Sequence, residues 1–184
     1  MIFNKHSDFS GCHAFLSASK YHWVNYTEEK LLSVYGLSRE AQRGVAQHEF
    51  ARNCIIMGEK LQSSKKTLNR YVNDAIGFRM IPEQVLFYSV NAFGTADAIS
   101  FRNNLLRIHD LKTGVTKASF KQLEVYTALF CLEYEYRPGD IKIELRLYKD
   151  DDFEVLIPEL DSIAHIMDRI ITFDKIIEKM KAEA

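Results

Sequence analysis

Asp97, Asp110 and Lys112 are the residues of this chain whose types and spacing are best placed to do chemistry. They fall in Gly94-Thr95-Ala96-Asp97 and in Asp110-Leu111-Lys112. Side chains alternate along a strand, so Asp110 and Lys112 project from one face, about 7 Å apart. If residues 93–101 and 105–112 are strands paired through a turn at Arg102-Asn103-Asn104, Asp97 lies beside Asp110. Two neighbouring carboxylates repel and raise each other's pKa, and a divalent cation between them removes that penalty. Oxygen ligands favour Mg²⁺ or Mn²⁺ over zinc. Taken singly, each of the three reads more readily as a surface acid near a turn or a solvated strand end. Their combination on adjacent strands, in register, favours chemistry.

Two further features point to the same region. Gln122 and Tyr126 lie four apart on one helix face, directly after the third strand. Both side chains hydrogen-bond phosphate or a base, although a tyrosine on an amphipathic helix also serves simply as a core anchor. His48 sits among Val45, Ala51 and Ile55 on the apolar face of a long helix. A histidine there is either a hydrogen-bonded core residue or, if that face packs on the sheet, a metal ligand.

The elements that must position these groups follow from periodicity. Residues 38–61 repeat apolar positions at spacings of three and four, with Ala41, Val45, His48, Ala51 and Ile55 on one face. A polar, basic loop at residues 62–66 precedes a weaker helix at 67–76. The period then changes to that of strands at 83–90, 93–101 and 105–112, an antiparallel meander. A helix at 118–134 ends before Pro138-Gly139, and Ile141, Ile143, Leu145 and Leu147 then alternate with polar residues as a half-buried strand. Asp150, Asp151 and Asp152 mark a hairpin turn rather than a metal site, followed by a short strand at 153–157 and an amphipathic helix at 160–181. The expectation is one α/β domain over residues 1–184, with a mixed central sheet whose meander is flanked by helices. Residues 1–36 form its N-terminal element, 38–157 its core and 158–184 a closing helix.

At these residues the chain resembles the RecB-like nucleases of the PD-(D/E)xK superfamily. The resemblance rests on His48 in Gly44-Val45-Ala46-Gln47-His48-Glu49, then Gly94-Thr95-Ala96-Asp97, Asp110-Leu111-Lys112 and Gln122-x-x-x-Tyr126. It covers residues 38–134, and Ser17-Ala18-Ser19 before an aromatic segment is similar to the family's N-terminal element. Ala96 stands where many members have proline, and the four cysteines of the iron–sulfur branch are missing. The resemblance implies a restriction-endonuclease-like core and a metal-dependent deoxyribonuclease. In that reading His48, Asp97, Asp110 and the Leu111 backbone carbonyl bind Mg²⁺ or Mn²⁺, with Glu83 as an outer ligand and no iron–sulfur cluster. Lys112 orients or deprotonates the attacking water, and Gln122 and Tyr126 position the strand, leaving a 5′-phosphorylated end. Lys117, Lys121, Lys65, Lys66 and Arg70 are candidate backbone contacts, and Tyr21 and Trp23 candidate stacking groups for an unpaired base.

The activity expected is an exonuclease acting on single- or double-stranded DNA ends in recombination, repair or turnover, in the manner of a phage-encoded nuclease. The alternatives are a structure-selective endonuclease and a non-catalytic DNA-binding or interaction module on the same fold. Recombination or replication proteins are candidate partners, and a homo-oligomer would suit an enzyme that encloses a DNA end. Composition bounds these readings: 184 residues, 47% hydrophobic and 27% charged, are those of a globular protein with a real core. A net charge of −1, from 24 basic and 25 acidic residues, excludes nucleic-acid binding by overall field, so any binding must use a local basic groove. Cys12, Cys54 and Cys131 form no paired motif and read as reduced thiols. The start of the chain has no secretory core and no segment reaches membrane-spanning length, so a cytoplasmic protein (in the host cell if phage-encoded) is expected.

Overall fold

The computed structural model describes residues 14–114 and 119–183. The chain divides into two compact units, residues 1–43 and 44–184. In the first, a 3-10 helix covers Ala18–Asn25, where the Trp23 indole nitrogen donates to the Ser17 carbonyl at 3.0 Å. Helix α1 (Glu28–Met57) begins in this unit and ends in the second. It starts ten residues before the expected 38. Thr27 supplies the start, its hydroxyl accepting the Lys30 N–H at 3.2 Å, and Glu28 and Glu29 in the first turn suit the helix dipole. The helix stops at Met57, short of the expected 61, because Gly58 takes a left-handed φ of 70°.

The second unit is built on a five-stranded mixed sheet in the order β1-β2-β3-β4-β5. The strands are β1 (Ile81–Ser89), β2 (Ala92–Arg102), β3 (Leu105–Leu111), β4 (Lys142–Lys149) and β5 (Asp152–Leu156). The first three form the expected antiparallel meander. Helix α3 (Lys121–Glu133) then carries the chain back so that β4 runs parallel to β3, as a crossover connection permits. β5 returns antiparallel through Asp150 and Asp151, whose φ values of 51° and 58° are those of a tight hairpin turn. Helices α2 (Thr67–Gly77) and α4 (Leu160–Ala182) complete the unit.

Strand alternation sorts the core into two clusters. Leu86, Ile108, Ile143 and Leu145 pack with Leu123, Leu129 and Phe130 of α3 and with Met167 and Ile170 of α4. Ala98, Leu111 and Tyr148 pack instead with Ala51, Cys54 and Ile55 of α1 and Tyr71, Val72 and Ala75 of α2. Ile108 and Leu111, or Leu145 and Tyr148, are an odd number of residues apart and so fall in different clusters. Burying each such large apolar side chain contributes roughly 1.5–3 kcal/mol, which fixes α1 and α2 over one set of positions and α3 over the other. Cys54 and Cys131 are buried free thiols, and burial pushes the Cys131 thiol up to about 11. Cys12 lies outside the described residues. No described helix is long and apolar enough to cross a membrane.

Candidate functional site

Register brings the two strand acids together. The β2–β3 ladder runs from Arg102↔Leu105 to Ala98↔His109, so the next position sets Asp97 opposite Asp110. There the backbone ladder gives way to a side chain: the Leu111 N–H donates to Asp97 Oδ2 at 2.9 Å. On the other flank, β1 pairs Pro82 with Ala98 and Gln84 with Ala96, but the intervening Glu83–Asp97 pair is missing. Glu83 has a φ of 51°, left-handed and costly for a residue with a Cβ. This kink accompanies a cluster in which His48, Glu83 and Asp97 each offer one ligand atom, all within 4.8 Å of one another.

His48 reaches the cluster from α1. Ala51 and Ile55, three and seven residues further along, anchor that helix face in the core, so the histidine is presented from the same side. Its Nδ1 lies 3.6 Å from Asp97 Oδ2, with 30% of the side chain exposed. Gly44, one turn earlier, permits close approach, because a Cβ there would fall 2.8 Å from Thr113 Oγ1.

Asp110 is 1% exposed. Lys112 Nζ donates to its Oδ1 at 3.1 Å and lies 2.9 Å from Oδ2, but off hydrogen-bond geometry, so Oδ2 keeps a buried, unfilled acceptor position. Lys112 Nζ also donates to Gln122 Oε1 at 2.8 Å, and Gln122 Nε2 donates to the Tyr126 hydroxyl at 2.9 Å. A chain of hydrogen bonds thus joins Asp110, Lys112, Gln122 and Tyr126. The Tyr126 ring lies over Gly94: a Cβ at Gly94 would come within 2.9 Å of its Cε1. The glycine of the Gly94–Asp97 segment therefore has a steric reason, since only a bare Cα lets the tyrosine of the next helix lie on β2.

The electrostatics fit a cation. Desolvation, and next the Asp110 carboxylate, push the Asp97 carboxyl up from 3.8 to about 6, against the Leu111 N–H and His48, which lower it; Glu83 adds a further upward push. Burial raises the Tyr126 phenol, reinforced by Asp97 and Asp110. A carboxyl held high by burial and then by its neighbours, and three donor atoms within 4.8 Å of one another, suit a divalent ion, whose opposed ligands stand about 4–5 Å apart. The donors are two carboxylates and one imidazole, a set open to more than one divalent metal.

The remaining expected residues are placed as follows. Glu83, expected as an outer ligand, stands within the trio, whereas Asp110 faces Asp97 from outside it, paired with Lys112. Of Leu111, the backbone group engaged with the site is the N–H. Lys121 pairs with Glu124 one turn along α3. Arg70 pairs with Asp152 at 3.4 Å, tying α2 to the β4–β5 hairpin, and Lys65 and Lys66 are exposed in the loop before α2. Tyr21, 63% exposed and stacked with His22, and Trp23 belong to the first unit. Lys117 lies outside the described residues.

One neighbour escaped the sequence reading. Tyr71 of α2 is buried, and its phenol is raised well above the usual range by burial and then by Asp97, Glu83 and Asp110 in turn. A tyrosine on an amphipathic helix carries no mark distinguishing a core anchor from the wall of an acidic site. No protein-family model, curated protein or solved structure matches the chain.

Proposed function

We propose that the chain is a metal-dependent deoxyribonuclease on a restriction-endonuclease-like core, working as an exonuclease on DNA ends. The observation that carries this reading is the junction at the β2–β3 pair. Asp97 stands opposite Asp110, with His48 and Glu83 beside Asp97 and Lys112 bonded to both Asp110 and Gln122. A buried acid paired with a partly exposed lysine, next to a cluster of ligand atoms, is an arrangement that metal-assisted phosphodiester hydrolysis can use.

In this reading His48, Glu83 and Asp97 hold Mg²⁺ or Mn²⁺, with Asp110 opposite Asp97 and paired with Lys112. When bound, the ion supplies positive charge that polarises the scissile phosphate and acidifies water. Lys112 is held between a carboxylate and an amide, so its ammonium is aimed without reorganisation at the moment charge develops. It orients the attacking water and offsets the charge gathering on the phosphate oxygens. Gln122 fixes Lys112 on one side and Tyr126 on the other, and the two α3 side chains register the strand against the acids. Hydrolysis is direct, with water as nucleophile and a 5′-phosphorylated end as product.

The test is incubation of end-labelled single- and double-stranded DNA with Mg²⁺ or Mn²⁺, with Lys112→Ala as control. Release of mononucleotides or short oligonucleotides from an end, lost with chelator and in the control, is expected. Internal cuts at junctions or flaps would move the assignment to a structure-selective endonuclease. No metal-dependent cleavage of either substrate would overturn the nuclease reading.

A further inference from the structure

At the opposite end of β3 from Asp110, a groove of about 690 Å³ opens between the end of α2 and the β2–β3 turn. Its walls include Phe78, Arg79, Arg102, Asn103, Arg107 and Lys142, and among the described residues no carboxylate lines it. Arg107 is committed elsewhere: its Nε lies 3.0 Å from Glu144 Oε1, and its guanidinium sits 4.3 Å over the Phe78 ring. Arg79, Arg102 and Lys142 are exposed, and among the described residues none of their side chains has an ion-pair partner. The groove therefore carries a local positive charge within a chain whose net charge is −1. Like charges converging on a groove repel one another, and a polyanion lying in it turns that repulsion into attraction.

We infer that this groove is a second phosphate-binding site, which takes the backbone of a nucleic-acid strand at a point remote from the carboxylates. Leu105, at the groove, and Asp110 are five residues apart on one strand, or about 17 Å. A contact at that distance cannot touch the bond being cleaved. It holds the polymer by charge alone, without reading sequence, because lysine and arginine on phosphates position a strand but do not discriminate bases. That the polymer is DNA rests on the nuclease reading, whereas the affinity of the groove for a phosphodiester backbone does not.

The test measures binding without turnover: anisotropy of a labelled single-stranded DNA in chelator, across about 50 to 200 mM salt. The parent is compared with the combined variant Arg79→Gly, Arg102→Ser, Lys142→Ser. Arg79 has a φ of 53°, so glycine there is compatible with the backbone, and the folded state should melt at the same temperature or higher. The variant should bind on the order of tenfold more weakly, with a log–log salt slope shallower by about 2, as expected for three lost contacts to a single strand. Metal-dependent cleavage of short oligonucleotides, which do not span both places, should persist in the variant. Equal affinity and slope in parent and variant would overturn the inference, as would a parent that binds no DNA in chelator. So would a variant that loses binding of ATP, used as a free nucleotide probe, while keeping that of DNA. Groove-dependent binding by a parent that never cleaves would sink the nuclease reading and leave the groove standing.

Discussion

Replacing Asp97 with asparagine should stabilise the metal-free protein while removing its ability to bind Mn²⁺. The Asp97 carboxyl is pushed from 3.8 to about 6, first by desolvation and then by Asp110. Because the folded-state pKa lies above the unfolded one, the group favours folding at low pH, and that contribution disappears as pH rises from about 4 to about 6. Above both values the ionised carboxylate disfavours the folded state by on the order of 3 kcal/mol relative to its protonated form. Asparagine keeps the shape and can still accept the Leu111 N–H, but weakens a charge-assisted bond by about 1 kcal/mol. The net gain is roughly 1–2 kcal/mol at pH 8, or about 3–6 °C in melting temperature for a chain of this size. At pH 5 the electrostatic advantage should be about half as large, because the parent is then mostly protonated at this position. Added Mn²⁺ should reverse the order: at one hundred times its Kd the ion stabilises the parent by about 2.7 kcal/mol and the variant hardly at all. Thermal melts of both proteins at pH 5 and pH 8, in chelator and in Mn²⁺, give every quantity. An asparagine variant that melts below the parent in chelator at pH 8 would refute the claim that burial and then its acidic neighbours hold the Asp97 carboxyl against ionisation.

Three further substitutions probe other parts of the junction. Lys112→Ala should lower cleavage by about 10²-fold or more, with the far-ultraviolet spectrum checking the fold because the buried Asp110 loses its cationic partner. Parent-like turnover would remove it from the mechanism. Glu83→Gly should leave the melting temperature in chelator unchanged or raise it, because φ is 51° there, while weakening Mn²⁺ affinity in calorimetry by tenfold or more. A drop in stability with unaltered affinity would make Glu83 structural. Gly94→Ala should force the Tyr126 ring off β2 and destabilise the fold by about 1–3 kcal/mol in denaturant unfolding, with activity falling further than stability explains.

What could be read from the chain was what local pattern controls. The alternation of Ile143, Leu145 and Leu147 marks β4, although the strand is covered on both faces: Glu144 and Arg146 of the second face are half-buried and Tyr148 is fully buried among α1 and α2. The β2–β3 register followed from a short polar turn at Asn103 and Asn104, whose φ values of 51° and 59° are those such a turn requires. That register was enough to bring Asp97 opposite Asp110. Less legible was anything decided by tertiary crossing. The first turns of α1 expose Leu32, Tyr35 and Leu37, so no apolar stripe announces a helix there. Glu83 read equally as an outer ligand or a solvent-facing strand acid, and Pro82 before it was the one sign of an irregular edge strand. The presence of Tyr71 at the acids depends on where α2 lands on the sheet, which is set by Val72 and Ala75 rather than by the tyrosine itself.

The backbone of Glu83 is the strongest reason to see the junction as a working site rather than an accident of register. Among the described residues, seven non-glycine positions have positive φ, and local structure accounts for six of them. Asn103, Asn104, Asp150 and Asp151 form the two hairpin turns, where short polar side chains tolerate the left-handed region. Arg79 and Glu135 follow the ends of α2 and α3, where the chain commonly turns left-handed to satisfy the last carbonyls; Met80 and Tyr136 donate back to Ala75 and Cys131. Glu83 is in mid-strand, with pairs on both sides and neither turn nor cap to explain it. A strain of roughly 1–3 kcal/mol persists only where the surroundings hold it. Here it coincides with the neighbouring carboxyl that is hardest to ionise, and with a histidine offered from a separate helix. Independent local penalties meet at this one point, and a bound cation would relieve the electrostatic one while using the geometry the strain provides.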